Sequence, residues 1–440
     1  MKYYSTNNQA PIADLHKAVV KGLAEDRGLY MPEKINKLPK EFFDNIEKMS
    51  FQEIAYTVAS AFFGEDVDPD ALHDIVYDTL QFDCPVVNVK DNIYTLELFH
   101  GPTLAFKDVG ARFMARLLQY FIKQENNHKE VNVLVATSGD TGSAVANGFL
   151  GVDGIHVYVL YPKGKVSPIQ ECQFTTLGKN ITAIEVDGVF DDCQALVKNA
   201  FMDAELNEHM KLTSANSINV ARFLPQAFYY FNAYARMKEI ANTQHLSPNT
   251  QLVMCVPSGN FGNICAALFG HEMGLPIKRF IAANNANDIF YNYLRTGKYE
   301  PKPSKQTLAN AMDVGDPSNF ARIYDLYGKS HAKITSLISG ATYSDEQIKA
   351  TMRECYKDSG YILDPHGACG YQALKDGLQA GEVGVFCETA HPAKFKEKVD
   401  DILGIDVEIP ERLAAFMRGQ KQSVPMSKDF ADFKAFLMKQ

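Results

Sequence analysis

Three short apolar runs alternate with two amphipathic segments through residues 131 to 186, VNVLVATSGDTGSAVANGFLGVDGIHVYVLYPKGKVSPIQECQFTTLGKNITAIEV. The apolar runs are 131–136, 155–162 and 181–186. Near-continuous apolar strands of this kind, separated by helices, are typical of a parallel sheet that is covered on both faces. The stretch therefore predicts the α/β class and a compact domain around these strands.

The same alternation returns later in the chain, and a different pattern precedes it. The later apolar runs are 252–256, 278–283 and 383–388. Residues 1 to 85 instead carry the 3.6-residue periodicity of helices, as in SFQEIAYTVASAFFGE at 50–65. From these patterns we predict a mainly helical N-terminal domain at 1–85, a small α/β domain at 86–235 and a large α/β domain at 236–440.

Composition excludes several classes of function. The chain has 440 residues, of which 46% are hydrophobic and 22% are charged, and its formal net charge is -9. This acidic balance, without a block of Lys and Arg, argues against binding to nucleic acid. No apolar run approaches the roughly 18 residues of a membrane span, and the first residues lack the apolar core of a secretory signal. We therefore expect a cytoplasmic protein that does not bind a membrane.

The eight cysteines are never closer than ten residues apart. This spacing excludes a CxxC redox pair and a zinc knuckle, so we predict no metal site. Most of the cysteines lie among apolar neighbours, which predicts buried thiols in a reducing compartment.

Lys107 occupies a junction in LELFHGPTLAFKDVGARFMARLLQ, residues 96–119, between an apolar run and a segment with helical periodicity. The apolar face of that helix carries Val109, Phe113, Leu117 and Tyr120. An ammonium group beside a buried face has its proton affinity lowered by desolvation, as a nucleophilic or Schiff-base lysine needs. Taken alone, the position also suits an ordinary exposed lysine.

Two polar loops directly follow apolar runs, and ligands of open α/β sheets bind after the carboxyl ends of strands. The first loop, in ATSGDTGSAVA at 136–146, carries Ser138, Asp140 and Thr141. It suits ligand binding or simply a capped helix start. The second loop, in VPSGNFGNICAALFG at 256–270, has no basic residue and offers successive N–H groups at a helix start. Such a cradle fits a phosphate monoester, although a Gly-Asn turn is also just a turn.

A third polar stretch, TSANSINVARFLPQ at 213–226, contains Ser217, Asn219 and Arg222. These hydroxyl, amide and guanidinium donors suit a second anion, such as a phosphate or a carboxylate. The alternative is a capped helix start with Arg222 on the surface.

The motifs HGPTLAFKD, TSGDTGSA, NSINVAR and PSGNFGN, in this order, closely resemble the threonine synthase family of pyridoxal-phosphate enzymes. The resemblance extends from GLAEDRGLYMP at 22–32 to TAHPAKF at 389–395. It implies the tryptophan-synthase-β-like fold (fold type II), with two parallel-sheet α/β domains and a mainly helical N-terminal unit. Several motifs in one order are more specific than any one of them, so the resemblance favours the Schiff-base interpretation of Lys107.

The resemblance also implies a set of site residues. Lys107 would be catalytic and would hold pyridoxal 5'-phosphate as a Schiff base. The other implied cofactor-binding residues are Gly259, Asn260, Phe261, Gly262 and Asn263 at the phosphate and Thr389 at the pyridine nitrogen. The implied substrate-binding residues are Ser138, Asp140, Thr141, Ser217, Asn219 and Arg222. Because an anionic Asp140 would repel a carboxylate, we expect it to be solvated, bonded to backbone or directed at the substrate amine.

The implied reaction converts O-phospho-L-homoserine and water to L-threonine and phosphate, as a carbon–oxygen lyase of threonine biosynthesis acting on phosphates. We expect a monomer or homodimer whose partner is this small molecule. Two alternatives remain: a serine/threonine dehydratase-type lyase with the same cofactor, and a non-catalytic relative that binds a phosphorylated metabolite. A dehydratase has no phosphate in its substrate and so no need of Arg222, whereas a binding module has no use for Lys107.

Overall fold

The computed structural model describes residues 1–127, 129–247 and 249–440. These residues fold into two compact units, each assembled from segments that are distant in sequence. The first unit comprises Met1, residues 31–106 and residues 223–408; the second comprises residues 2–30, 107–222 and 409–440.

The units differ from the predicted ranges 1–85, 86–235 and 236–440 because they interleave segments of the chain. Parallel pairing is one reason, since a strand near the carboxyl terminus, Val424–Ser427, pairs with Ile181–Asp187. The last residues of the chain therefore join the second unit. Lys107 and the polar loop after residue 136 both belong to the second unit.

A six-stranded sheet forms the centre of the first unit. In spatial order its strands are Ile338–Thr342, Arg279–Asn284, Gln251–Pro257, Glu382–Glu388, Ile93–Glu97 and Val86–Lys90. All neighbours are parallel except the last pair, which is antiparallel. The α/β prediction is confirmed, with one antiparallel edge strand added.

Helices of the first unit account for most of its remaining residues. The α-helices are Lys40–Asn45, Phe51–Phe63, Pro69–Thr79, Ala227–Gln244, Gly262–Glu272, Ile289–Thr296, Phe320–Leu326, His331–Leu337, Asp345–Ser359, Pro365–Gly377 and Lys396–Leu403. Short 3-10 turns lie at Ile46–Lys48, Leu224–Gln226, Asn310–Met312 and Pro392–Phe395.

The second unit contains a five-stranded sheet whose neighbours are all parallel. In spatial order its strands are Val424–Ser427, Ile181–Asp187, Ile155–Pro162, Val131–Ala136 and Lys211–Ser214. Its α-helices are Leu15–Lys21, Lys107–Gln124, Asp140–Phe149, Pro168–Thr175, Phe190–Met202, Ala204–His209, Glu411–Met417 and Phe430–Leu437, and Val220–Phe223 ends at the boundary of the unit. One face of this sheet packs into a core that includes Leu134, Leu160, Ile184 and Phe433.

The amino-terminal residues 1–85 contain five helical segments, and they also contain strands. Lys2–Ser5, Ala13–Asp14 and Tyr30–Pro32 form a small three-stranded sheet. The helix Phe51–Phe63 begins at a capping box in which Ser50 and Glu53 bond each other's backbone. Strands of two to four residues are too short to show an alternating pattern, which is why sequence periodicity missed them.

Three features bear on the predictions from composition. In the described ranges no helix is both long and apolar enough to cross a membrane, and no group of three or more His, Cys, Asp or Glu residues is arranged to hold a metal. All eight cysteines are free thiols, and seven of them are buried.

Glu382 fixes the amino ends of the central strands in the first unit. Its carboxylate accepts hydrogen bonds from Arg279 Nε at 3.0 Å and Nη2 at 2.7 Å, and from Lys278 Nζ at 3.0 Å. The Glu382 side chain is fully buried, and its hydrogen bonds to Arg279 lower the pKa of Glu382 to about 2. Charge-assisted, bidentate bonds of this kind are among the strongest in proteins.

We predict that Glu382→Gln lowers the free energy of unfolding of the first unit at pH 7 by about 2–3 kcal/mol. The folded-state pKa lies below the ordinary value of 4.5, so the stabilisation is complete above that pH and is lost as the pH falls towards 2. Calorimetric unfolding of wild type and variant across this window measures the difference, with exposed Glu346→Gln as the control. A difference that stayed constant below pH 4.5 would contradict the ionic origin of the effect.

Candidate active site

Two predicted cofactor-binding elements meet at one edge of the first unit's sheet. The strand Gln251–Pro257 lies beside Glu382–Glu388, and the two are parallel. Residues 259–263, called here the glycine loop, follow the first strand, and Thr389 follows the second. Both therefore emerge at the carboxyl edge, where open α/β sheets bind ligands.

The glycine loop presents its backbone N–H groups at the start of the helix Gly262–Glu272. Phe261 leads into that helix with a left-handed φ of 65°, which costs a non-glycine residue on the order of 1 kcal/mol. Within the described part of the chain, no protein oxygen accepts a hydrogen bond from the N–H groups of residues 259–263. Unpaired donors at the positive end of a helix dipole fit a phosphate monoester.

The side chain of Asn263 holds the shape of this loop. Its Oδ1 accepts bonds from the Ser258 hydroxyl and the Ile264 N–H, both at 2.9 Å, and its Nδ2 donates to the Pro257 carbonyl at 2.9 Å. The amide is thus committed to neighbouring groups. A ligand in the loop would meet the backbone of Asn263 and not its side chain.

A crossing segment, residues 309–319, packs directly on the glycine loop; we call it the strap. A Cβ atom at Gly259 would lie 2.6 Å from the Ala311 carbonyl oxygen and 3.0 Å from Met312 Cα. The Asn319 N–H donates to the Asn260 carbonyl at 3.1 Å. Only glycine at position 259 allows this close approach.

Thr389 is buried and its backbone anchors the HGPT stretch that precedes Lys107. The carbonyl of Thr389 accepts the Phe106 N–H at 2.8 Å, and the next residue, Ala390, bridges to Ala105. Phe106 is the last residue of the first unit before the chain continues into the second. Thr389 has a neutral hydroxyl and directly follows the strand Glu382–Glu388, and its role as the partner of the pyridine nitrogen stays a prediction.

In the second unit, Lys107 is the first residue of the helix Lys107–Gln124 and is half-buried. The first turn of that helix rests on Arg222, whose Nη1 donates to the Lys107 carbonyl at 3.4 Å. A Cβ at Gly110 would lie 2.3 Å from the Arg222 carbonyl oxygen. Arg222 is 2% exposed and its Nε donates to the Ala215 carbonyl at 2.6 Å. The alternative that placed Arg222 on the surface is therefore wrong.

Thr137 shapes the loop after the strand Val131–Ala136, although it is not one of the predicted site residues. Its hydroxyl oxygen accepts the N–H groups of Gly139 at 2.9 Å and Gly142 at 2.8 Å. Ser138 and Thr141 remain half-buried at this edge of the sheet. Their hydroxyls are the ones that a ligand there would meet.

Asp140 is 3% exposed, so the solvated alternative is excluded. Its Oδ1 accepts a hydrogen bond from Gln170 Nε2 at 3.0 Å. The amide of Gln170 is fully buried and lies 2.6–2.7 Å from where a Cβ at Gly139 would stand. Gln170 belongs to the helix Pro168–Thr175, and no local motif marks it as a site residue.

The third polar stretch emerges beside this loop, because the strands Lys211–Ser214 and Val131–Ala136 are parallel neighbours. Asn219 is buried, and its Nδ2 donates to the carbonyls of Val19 at 2.9 Å and Ser214 at 3.1 Å. Its amide therefore holds the stretch in place. Ser217 is half-buried. The second unit thus gathers the predicted substrate-binding residues and Lys107, with Asn219 and Arg222 turned towards backbone groups.

Three family models match the chain. The model described as "Pyridoxal-phosphate dependent enzyme" matches residues 82–387. Those described as "Threonine synthase N terminus" and "Threonine synthase, C-terminal" match residues 2–80 and 367–437. Together they account for nearly the whole chain.

Individual relatives agree with the family models. Threonine synthase of Serratia marcescens is 44% identical over 438 residues, which is 100% of this chain and 99% of that protein. The crystal structure of threonine synthase from Escherichia coli is 43% identical with a TM-score of 0.92, covering 100% of both chains. The crystal structure of a PLP-bound threonine synthase from Brucella melitensis is 33% identical with a TM-score of 0.90, covering 100% of this chain and 99% of that one.

These findings confirm the predicted fold, the cofactor and the class of enzyme. The protein is a pyridoxal-phosphate-dependent lyase of amino-acid biosynthesis. The dehydratase and the non-catalytic alternatives are excluded, because two family models and full-length relatives are threonine synthases. The chain belongs to the threonine synthase family.

Proposed function

We propose that the substrate is O-phospho-L-homoserine, which the protein converts with water to L-threonine and inorganic phosphate. The Cγ–O bond to phosphate breaks, Cγ gains a proton, and Cβ loses a proton and gains the hydroxyl of water. The observation that supports a phosphorylated substrate is the polar stretch around Ser217 beside the loop of Ser138 and Thr141. Because the glycine loop would bind the phosphate of the cofactor, the second set of donors is left for a second anion.

Lys107 would hold the cofactor, and its free amine would move protons at the α-, β- and γ-carbons of the substrate. When bound, pyridoxal phosphate withdraws electrons from the substrate carbons and so acidifies the protons that must be moved. Arg222 supports this role, since it fixes the first turn of the helix that carries Lys107. An amine that transfers several protons must be held at one position.

The remaining cofactor contacts come from the first unit. The N–H groups of Gly259, Asn260, Phe261, Gly262 and Asn263 bind the cofactor's phosphate. The hydroxyl of Thr389 would bind the pyridine nitrogen. Because a hydroxyl does not keep that nitrogen protonated as a carboxylate would, the ring draws less strength from a pyridinium charge.

The substrate contacts come from the second unit. Ser138 and Thr141 donate to the substrate carboxylate, and Asp140, held by Gln170, faces the substrate ammonium. Ser217, together with Thr141, donates to the leaving phosphate. Asn219 and Arg222, first predicted as substrate-binding, act by holding this loop, as their burial and backbone contacts support.

We place the reaction in the cytoplasm. Seven of the eight free thiols are buried, and burial raises the pKa of Cys193 and Cys265 to about 12. Free thiols in this number are typical of a reducing compartment.

Lys107→Ala should abolish release of threonine and phosphate from O-phospho-L-homoserine, with a fall in kcat of at least about a thousandfold. The physical reason is loss of the group that both anchors the cofactor and moves protons. Product assays and the visible absorption of the bound cofactor measure the effect. The control is Lys123→Ala, an exposed lysine in the last turn of the same helix. A Lys107→Ala protein that retained wild-type turnover would remove the lysine from the mechanism.

Ser217→Ala should raise KM for O-phospho-L-homoserine about tenfold, by loss of one charge-assisted hydrogen bond to phosphate. The inhibition constant of added inorganic phosphate should rise by a similar factor, while kcat changes little. Steady-state kinetics with and without phosphate test this, with exposed Ser336→Ala as the matched control. An unchanged phosphate inhibition constant would show that Ser217 does not contact the phosphate.

A further inference from the structure

A buried Asp-His pair in the first unit has no part in the chemistry proposed above. Asp364 and His366 lie at the start of the helix Pro365–Gly377 and are 0% and 2% exposed. Asp364 Oδ2 lies 2.5 Å from His366 Nδ1. The other ring nitrogen, Nε2, accepts the Ala311 N–H at 3.1 Å. Since Nε2 accepts a hydrogen bond, Nδ1 is the ring nitrogen that donates its proton towards Asp364.

The orientation of Asp364 is itself fixed by Glu388. Glu388 Oε1 accepts the Asp364 N–H at 2.7 Å, and a Cβ at Gly367 would lie 1.8 Å from Glu388 Oε2, so only glycine fits there. Burial raises the pKa of Glu388 well above its ordinary value, which favours the neutral form of this carboxyl. Burial works against ionisation of Asp364 as well, but the adjacent His366 lowers the pKa of Asp364 below its ordinary value. The lowered pKa favours the ionised form of Asp364, whose carboxylate faces the imidazole.

His366 reaches the glycine loop through a single residue of the strap. Ala311 is held by His366 at its N–H, and its carbonyl oxygen is the atom packed against Gly259. The two ends of the strap are fastened separately. Asn285 Nδ2 donates to the Ala309 carbonyl at 3.1 Å, and the Asn319 N–H donates to the Asn260 carbonyl at 3.1 Å. The His366 bond holds the strap at Ala311, where it crosses the loop, while Asp313 further along accepts Asn285 Nδ2 at 2.9 Å and the Thr307 hydroxyl at 2.7 Å.

We propose that Asp364 and His366 are positioning residues that hold the strap against the glycine loop and so set the loop's affinity for the cofactor's phosphate group. The inference rests on the proposed role of the glycine loop as the phosphate site. Without the imidazole acceptor the part-buried Ala311 N–H loses its partner, and the strap is no longer held at this residue. Gly259 is then no longer confined, and the N–H groups of the loop lose their common orientation.

The test compares pyridoxal phosphate with pyridoxal, which lacks the phosphate, as ligands of the full chain freed of cofactor. His366→Phe keeps an aromatic ring but removes the acceptor for Ala311. It should lower the ratio of the two affinities about tenfold, the equivalent of one hydrogen bond. His366→Gln retains an acceptor and should restore most of the ratio. His331→Phe is the control, because His331 also bonds backbone groups, at Tyr293 and Leu294, away from the strap.

Equal weakening of both ligands in His366→Phe would mean a general structural role and would overturn the proposal, as would an unchanged ratio. Gly259→Ala, whose methyl group would collide with the strap, tests the loop independently. If Gly259→Ala leaves the ratio unchanged, the loop is not the phosphate site and the proposed function loses that element. If Gly259→Ala lowers the ratio but His366→Phe does not, only the role of the Asp-His pair is rejected.

Discussion

The site of the first unit depends on the backbone N–H groups of the glycine loop, which have no acceptor among the residues that the structure describes. A buried donor left unsatisfied costs roughly 1–3 kcal/mol. A bound anion removes this cost by accepting hydrogen bonds from several of these donors, and so stabilises the loop. The surrounding features follow from that need. Asn263 fixes the shape of the loop from inside, Gly259 admits the strap, and the strap closes over the loop from outside.

The second unit contains the amine of Lys107 and the hydroxyls that we propose for the site, and these groups must be held in fixed positions. Buried polar side chains contribute to this through hydrogen bonds to neighbouring groups. Arg222 supports the helix of Lys107, Asn219 holds the stretch that contains Ser217, and Gln170 orients Asp140. Arg222 and Asn219 have side-chain donors of the kind that bind anions, but here these donors bond to backbone carbonyls. Buried polar groups usually have such hydrogen-bond partners.

Sequence pattern predicted those parts of the protein whose information is local. The strands Val131–Ala136 and Ile155–Pro162 have the predicted bounds because continuous apolar runs define them. Ile338–Thr342 was missed because its sequence, ISGAT, contains no apolar run. Lys107 and the loops stood out as motifs, but Gln170 and His366 act on residues 30 and 55 positions away and carry no motif. Residue type alone also could not show that Arg222 and Asn219 face backbone carbonyls.

In the proposed reaction the oxygen of water adds to Cβ of the substrate, and phosphate leaves by cleavage of the Cγ–O bond with all four of its oxygens retained. The most direct measurement is turnover of O-phospho-L-homoserine in water enriched in oxygen-18, with mass analysis of both products. The account predicts equal amounts of threonine and phosphate, one heavy oxygen in the threonine hydroxyl and none in the phosphate. Heavy oxygen in the phosphate, with homoserine as the other product, would show simple phosphate-ester hydrolysis and contradict the account.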